Sequence, residues 1–453
     1  MVYRPDPRAR PRRAVTGLDR IVEARYMARA AISGDEDVGS FPGRDRIMTE
    51  STHDAPRSVV HSPSPAARKP AHLPHLDSLR AIAGLLVVLH HARLECRPTS
   101  SAVHRALAWL NEGHFCVTFF VILSGYCLTL PTVATGRLKG GVLGFLGRRA
   151  RRLLPAYYVT LLGSIALVAT VIGRPTARHW DFTLPLSWQA VITHALMIHN
   201  FQIATILKIN HVLWSIAVEW QLYFSLPLLL ILKRSIGPWG TTVIAVGLGY
   251  LGYFQVNGTD QFGLMPHYYG VFALGMLAAD LAHGGAERSA SFRAGVGLVA
   301  GLALVAWLGV YRQATYEILD LPFSIAGAAG LVLLARPGRV RSVLEWRPLV
   351  GMGGFAYSLY LVHAPLQHLI VDRAFGAVGL SPGLEFPILV LVGTPIIVAF
   401  AYAFSMAFER PFLSARSGKA GPRIGEHSRS RPRTHIRTGQ IALATGSPRD
   451  HNQ

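Results

Sequence analysis

An all-α, polytopic membrane helix bundle is the fold this sequence predicts, and three observations predict it. Of 453 residues, 51% are hydrophobic and only 15% are charged, a balance too apolar for a typical soluble enzyme. The apolar residues gather in runs of roughly 18 to 23, long enough to cross a ~30 Å hydrocarbon layer as helices. The basic residues gather outside those runs. Residues 1–75 hold 13 basic and 9 acidic side chains, residues 137–152 six and none, and residues 414–453 eight and two. Together they carry 16 of the 20 net positive charges. Their place beside hydrophobic spans reports membrane topology and gives no reason to invoke nucleic acid.

Taken in order, residues 1–71 are rich in Arg, Pro, Ser and Asp without periodicity, and are expected to form a disordered cytoplasmic tail. Met48 within it is a second possible start. No apolar run there is long enough for a secretory signal, so the first membrane helix is expected to direct insertion. Candidate spans follow at about 76–93, 113–133, 153–173, 187–206, 212–232, 239–256, 264–282, 294–311, 318–335, 349–371 and 386–408. Eleven crossings would put the two basic tails on opposite sides, so one segment must fail to cross. The weakest is 187–206, SWQAVITHALMIHNFQIATI, interrupted by His194, His199, Asn200 and Gln202. If it is re-entrant or interfacial, about ten transmembrane helices remain. Arg137 to Arg152, Lys233 with Arg234, Arg288 with Arg293, Arg336 to Arg347 and both termini are then cytoplasmic. Residues 414–453 are expected to be a disordered basic tail, which leaves 72–413 as the membrane domain.

The first span, LDSLRAIAGLLVVLHHARL, carries Arg80 and, eleven residues later, His91. Eleven steps of 100° end about 20° past three turns, so both side chains share a face, roughly 16 Å apart. His90 points about 100° away. Ionisable groups in a span face protein or a wet cavity, so the stripe marks a candidate site. In GFLGRRARRLLPAYYV, Arg148, Arg149, Arg151 and Arg152 crowd ahead of Pro155, whose fixed φ suits a helix start. Guanidinium groups there suit phosphates, of an acidic cofactor or of anionic membrane lipids. HVLWSIAVEWQLYFSLPLLL buries Glu219 in an apolar run, with Trp214 nearby, and GGFAYSLYLVHAPLQHLIV carries Tyr357, Tyr360 and His363. Glu219 is placed to orient or charge-stabilise His91 as a general base. Ser124 and Gly125 read as close helix packing, because no nucleophile turn surrounds Ser124. Cys96, Cys116 and Cys127 make no metal or redox pattern, although Cys96 and Cys116 are candidates to pair across the first outer loop.

Together these motifs resemble the integral membrane acyltransferase-3 family. LDSLRAIAGLLVVLHHA is similar to its opening helix, whose hallmark is an Arg, ten residues and a His. FFVILSGY, RRARRLLPAYY, LWSIAVEWQLY and YSLYLVHAP are similar to its further signatures, in the same order. The resemblance covers about residues 72–413; Ser78 stands where Gly is usual and Tyr126 where Phe is common. Residues 414–453 are not expected to form a counterpart of the SGNH-type hydrolase domain fused to some relatives. The resemblance implies transfer of an acyl group, usually acetyl, from cytoplasmic acyl-CoA to a hydroxyl of a carbohydrate or related acceptor, with no metal. It implies Arg148, Arg149, Arg151 and Arg152 at the cofactor, His91 as base with Glu219 and Arg80, and His363, Tyr360, Tyr357 and Trp214 toward the acceptor. Cell-envelope polysaccharide is the first acceptor class and a macrolide-type small molecule the second. A transporter without bond chemistry is the competing class, although the two halves show no matching pair of interrupted helices.

Overall fold

The computed structural model describes residues 72–96, 107–284, 287–311 and 314–414. The tail expected at 1–71 and, beyond Ser414, the tail expected at 414–453 lie outside these residues. Among the described residues all regular structure is helical and no strand occurs.

Helix α1, Pro74–Glu95, opens with proline at its first position and Asp77 in its first turn, and closes with Arg93 in its last turn. Each of these suits the end of the helix where it stands. A short 3-10 turn, Ala108–Gly113, leads into α2, His114–Thr129. Helix α3, Gly141–Thr170, begins fourteen residues before Pro155, so the four arginines stand on the helix and not in a loop ahead of it. Gly140 and Gly141, both at positive φ, set its start, and nothing between them and Pro155 breaks a helix. The 30-residue α3 is about 45 Å long, well beyond a ~30 Å hydrocarbon core.

No helix long enough to span a membrane forms in the segment at 187–206. Its helix α4, Trp188–Ala195, has eight residues, about 12 Å, capped by Ser187. The chain then turns through His199–Phe201 and is held by Gln221, which pairs with Asn200 and donates to the Met197 carbonyl. Trp188, Ile192 and Leu196 are exposed at four-residue steps, an apolar stripe suited to a membrane interface.

Helix α5, Leu213–Val256, joins the spans expected at 212–232 and 239–256 across a break at Gly237, φ 76°, followed by Pro238. Only glycine accepts that angle readily, and proline then restarts the helix. The remaining helices of seven or more residues are α6 (His267–His283), α7 (Glu287–Tyr311), α8 (Tyr316–Leu334), α9 (Arg347–Gly353), α10 (Ala356–Leu369), α11 (Pro382–Ile388) and α12 (Thr394–Phe408), and two shorter ones occupy Arg339–Leu344 and Arg410–Ser414. A π-helical turn, Ile370–Phe375, extends α10, and another, Leu389–Gly393, links α11 to α12. Five helical stretches among the described residues are long and apolar enough to cross a membrane, and α9 with α10, bent by 72°, would make a sixth. The expected count of about ten is therefore not reached on length and hydropathy.

Two apolar cores flank the first half of α5. One joins α2, α6 and α8 through residues such as Ile122, Phe272 and Leu331; the other joins α1, α3, α10 and α12 through Val88, Tyr157, Leu359 and Ala401. Gly125 and Gly275 let α2 and α6 touch. A Cβ on Gly125 would lie 2.1 Å from the Phe272 carbonyl oxygen, and one on Gly275 2.1 Å from that of Ile122, which accounts for the small residue beside Ser124. Polar contacts gather the basic segments at one end of the bundle. Arg234 donates to the Gly136 carbonyl, Lys233 bonds Asp280, and His75 faces Glu345, which Arg341 also holds.

Candidate active site

Helix α1 aims His91 into the protein, where its ring lies 5.0 Å from that of His363 on α10 and 4.9 Å from that of His211 just before α5. His179, in the 3-10 turn His179–Thr183, packs 4.7 Å from His211. The hydrogen bonds assign the tautomers. His363 Nδ1–H donates to the Tyr360 carbonyl at 2.8 Å, which leaves a lone pair on its Nε2. That lone pair accepts from His91 Nδ1–H at 3.1 Å, a proton shared with the Val87 carbonyl at 3.0 Å. His91 Nε2 therefore carries a free lone pair, oriented by two fixed partners. His90 turns aside and bonds the Leu110 carbonyl at 2.6 Å.

His211 is 5% exposed and neither of its nitrogens has a hydrogen-bond partner. Burial pushes the His179 imidazole down to about 3 and that of His211 well below its ordinary value, so both are neutral at pH 7. Ligating nitrogens of His91, His179 and His211 all lie within 4.8 Å of one another, which makes them the one set of this kind among the described residues. Neither His179 nor His211 was expected. His211 was legible, since 211, 215, 219 and 223 follow at four-residue steps, a polar stripe through an apolar run. His179 lies in a connection where no periodicity applies.

That stripe on α5 continues inward from the histidines. Ser215 Oγ pairs with the Tyr360 hydroxyl at 2.7 Å, and Tyr360 also reaches the Val212 carbonyl. One turn further, Glu219 Oε1 accepts from Tyr223 Oη at 2.6 Å and from Ser124 Oγ at 3.3 Å. Glu219 thus does not pair with His91 as expected: it sits a turn deeper than the Ser215–Tyr360 contact, while His363 stands a turn outward of Tyr360. Tyr357 donates to the Leu153 carbonyl, within electrostatic reach of Glu219. Trp214 turns away into the α2–α6–α8 core.

Arg149 lies within electrostatic reach of Tyr223 and Glu219, and its buried Nε has no hydrogen-bond partner. Arg152 stands near Tyr223 and Glu409. The other two arginines face their own backbone, Arg148 donating to the Lys139 carbonyl and Arg151 to that of Gly147. Arg80 is turned inward to Asp77, at 2.5 Å, and to Cys127 Sγ, at 3.0 Å. Cys96 and Cys116 do not pair; all three cysteines are free thiols.

A lattice of polar contacts lies beside the histidines. Arg178 makes two bonds to the Glu385 carboxylate, at 2.9 and 3.0 Å, and one to the Glu95 carbonyl. Glu95 Oε1 takes His368 Nδ1–H at 2.6 Å and its Oε2 the Trp180 amide, while Trp180 stacks on His368. An apolar groove of about 370 Å³ between α1, α2 and α8, lined by residues such as Leu79, Leu86, Phe119 and Phe323, lies on another flank of α1 and holds none of these histidines.

The arrangement offers an oriented imidazole, an interior polar stripe and a guanidinium end. The acyltransferase domain family matches residues 73–406, nearly all of the described helices. The chain belongs to the acyltransferase-3 family. It is 25% identical over 330 residues to the peptidoglycan O-acetyltransferase OatA of Listeria monocytogenes, covering 65% of this chain and 49% of that one. It is 26% identical over 331 residues to a putative O-acetyltransferase of Staphylococcus aureus strain COL, covering 65% and 51%, and 25% identical over 363 residues to the O-acetyltransferase OatA of strain NCTC 8325, covering 74% and 57%. The chain spans about half the length of these curated relatives. No solved structure matches it. This acyltransferase-3 member is a multi-pass membrane protein, and its opening helix carries the Arg80 and His91 of the family pattern on the side that faces the protein.

Proposed function

We propose that this chain is a membrane O-acyltransferase that moves an acyl group, acetyl by analogy with its relatives, from cytoplasmic acyl-CoA to a hydroxyl of a cell-envelope carbohydrate of the peptidoglycan type. One observation supports this above the rest: His91, its Nδ1 held by Val87 and His363, ends an interior polar stripe that begins near Arg149. In this reading the basic segments at 137–152, 233–234 and 336–347, and both termini, face the cytoplasm. Arg149 and Arg152 hold the donor's phosphates, and the unsatisfied Arg149 Nε is a donor that a phosphate oxygen would satisfy. Glu219, with Tyr223, Ser124 and Tyr357, lines the passage for the thioester arm, and Arg80 braces its wall.

At the outer end the acceptor's O–H proton passes to His91 Nε2 as its oxygen attacks the thioester carbonyl. The new C–O bond forms, the C–S bond breaks, and the thiolate leaves with the proton returned by the imidazolium. The imidazolium is stabilised through its Nδ1–H by Val87 and His363. Tyr360 and His363 shape the acceptor side.

The test is release of free CoA thiol by membranes containing the chain, given acetyl-CoA and a peptidoglycan or polysaccharide acceptor. Acceptor-dependent thiol release with a matching acetyl increment on the glycan is expected; a glycan modified without CoA release would remove the donor assignment, and neither product would favour transport. Arg149→Ala should raise the apparent KM for donor about tenfold or more, the loss of a charge-assisted contact, whereas Arg148→Ala, already tied to Lys139, should leave it within about twofold.

A further inference from the structure

We propose that His91, His179 and His211 form a binding site for a divalent transition cation, zinc by ligand type, and that its occupation shuts the transferase off. The three residues come from separate parts of the chain, α1, the 3-10 turn at His179–Thr183 and the connection before α5, yet bring one ligating nitrogen each to within 4.8 Å of the others. A tetrahedral zinc bound at about 2.0–2.1 Å needs its nitrogens roughly 3.3 Å apart, so the closure required is at most about 1.5 Å. Small side-chain rotations supply that. His211 gives the second observation. Buried to 5% exposure, it has two nitrogens without a hydrogen-bond partner, a cost that a metal–nitrogen bond removes at one of them.

His91 is already prepared as a ligand. A metal-binding imidazole characteristically donates its other N–H to a carbonyl or carboxylate, which fixes its tautomer; His91 Nδ1–H does this toward Val87, and Nε2 is left for the metal. All three ligands are neutral imidazoles, the borderline donors that zinc, copper and nickel select over calcium or magnesium. Zinc is favoured among them because three imidazoles with an open fourth position match its ordinary geometry.

The inhibitory consequence follows from electron counting and rests on His91 acting as the base. The Nε2 lone pair that would take the acceptor's proton is the one that binds the cation, so the two uses exclude each other. His179 sits in the 3-10 turn beside Trp180, so a bound cation would also pin that turn to α1.

The test uses the full chain in detergent or nanodiscs, stripped with chelator. Cobalt(II) serves as the optical probe, because a four-coordinate nitrogen site gives visible absorption that zinc then displaces. Stoichiometric cobalt binding, lost in His179→Gln and in His211→Gln, is expected. In the transfer assay, zinc should inhibit the parent chain, and the zinc concentration for half inhibition should rise at least ~10-fold in His179→Gln, a floor set by what even outer-shell changes cost a bound metal. Each variant is compared with itself with and without zinc, so any change in its own rate cancels. His179 is half-buried in a connecting turn and not in a helix, so His179→Gln is the variant least exposed to misfolding. No stoichiometric cobalt binding, or binding that survives both substitutions, overturns the site. Loss of activity on chelation with recovery on zinc overturns the inhibitory role. An active His91→Ala enzyme would instead count against the proposed function, and the cobalt titration of the histidine variants would still decide the site.

Discussion

Two buried histidine clusters in the same bundle follow opposite designs. In one, Asp320, fully buried on α8, accepts from His114 Nε2 at 2.9 Å, His267 Nε2 at 3.0 Å and Thr118 Oγ at 2.6 Å. Its carboxylate has a donor on every side, and it ties α8 to α2 and α6. In the other, His91, His179, His211 and His363 meet one another and backbone carbonyls with no carboxylate hydrogen-bonded to them among the described residues, and both His211 nitrogens are unsatisfied. A buried polar atom left without a partner costs about 1–3 kcal/mol. In the first cluster the carboxylate is satisfied and only His267 Nδ1 is left without a partner, and the cluster holds helices together; in the second both nitrogens of His211 are left, as in a site whose lone pairs await a proton or a ligand.

That contrast is breakable. The largest effect should come from His91→Ala, expected to lower transfer by about 10²- to 10⁴-fold with the protein still inserted at parent levels. Radiolabelled acetyl incorporation normalised to folded protein reads it, and near-parent turnover would erase the distinction. Asp320→Ala should do the reverse. Stripping one partner from a buried ionic contact costs roughly 3–5 kcal/mol, seen as lost monodisperse protein on fluorescence-detected size exclusion, while transfer per folded molecule stays within a few-fold. A smaller lesion calibrates what purely structural damage looks like. Gly275→Ala forces a methyl against the Ile122 carbonyl, an overpacking cost of about 1–3 kcal/mol, readable as a lowered melting temperature with unchanged apparent KM values. Least of all, Tyr360→Phe removes the hydroxyl bonds to Ser215 and Val212. About 1 kcal/mol is at stake, so acceptor KM should rise roughly fivefold and kcat should hold.

How much of this was legible without coordinates depends on whether one helix or several carried the signal. The inward face of α1 follows from the eleven-residue step between Arg80 and His91, because periodicity within a helix fixes which residues share a face. That 187–206 forms no spanning-length helix was legible in its interrupted hydropathy. Partners on other helices were not: Glu219 was matched to His91 by depth along the sequence, yet packing gives His91 to His363 and Glu219 to Ser124 and Tyr223. Asp320 carried an overlooked signal, a carboxylate inside the apolar run YEILDLPFS. His179 had none to give, since a connecting turn has no repeat from which to read a direction.

The polar lattice around Trp180 has a consequence for timing. Trp180 is fully buried, and Arg178 and Glu385 are nearly so. For the proposed carbohydrate acceptor, that lattice would have to part and two opposite charges be hydrated separately before a wide polymer reached the imidazoles, a gating step ahead of bond making. If the proposed acceptor enters there, turnover on a bulky glycan would be paced by opening of the lattice, and a small surrogate alcohol able to slip past it would report the speed of the chemistry itself.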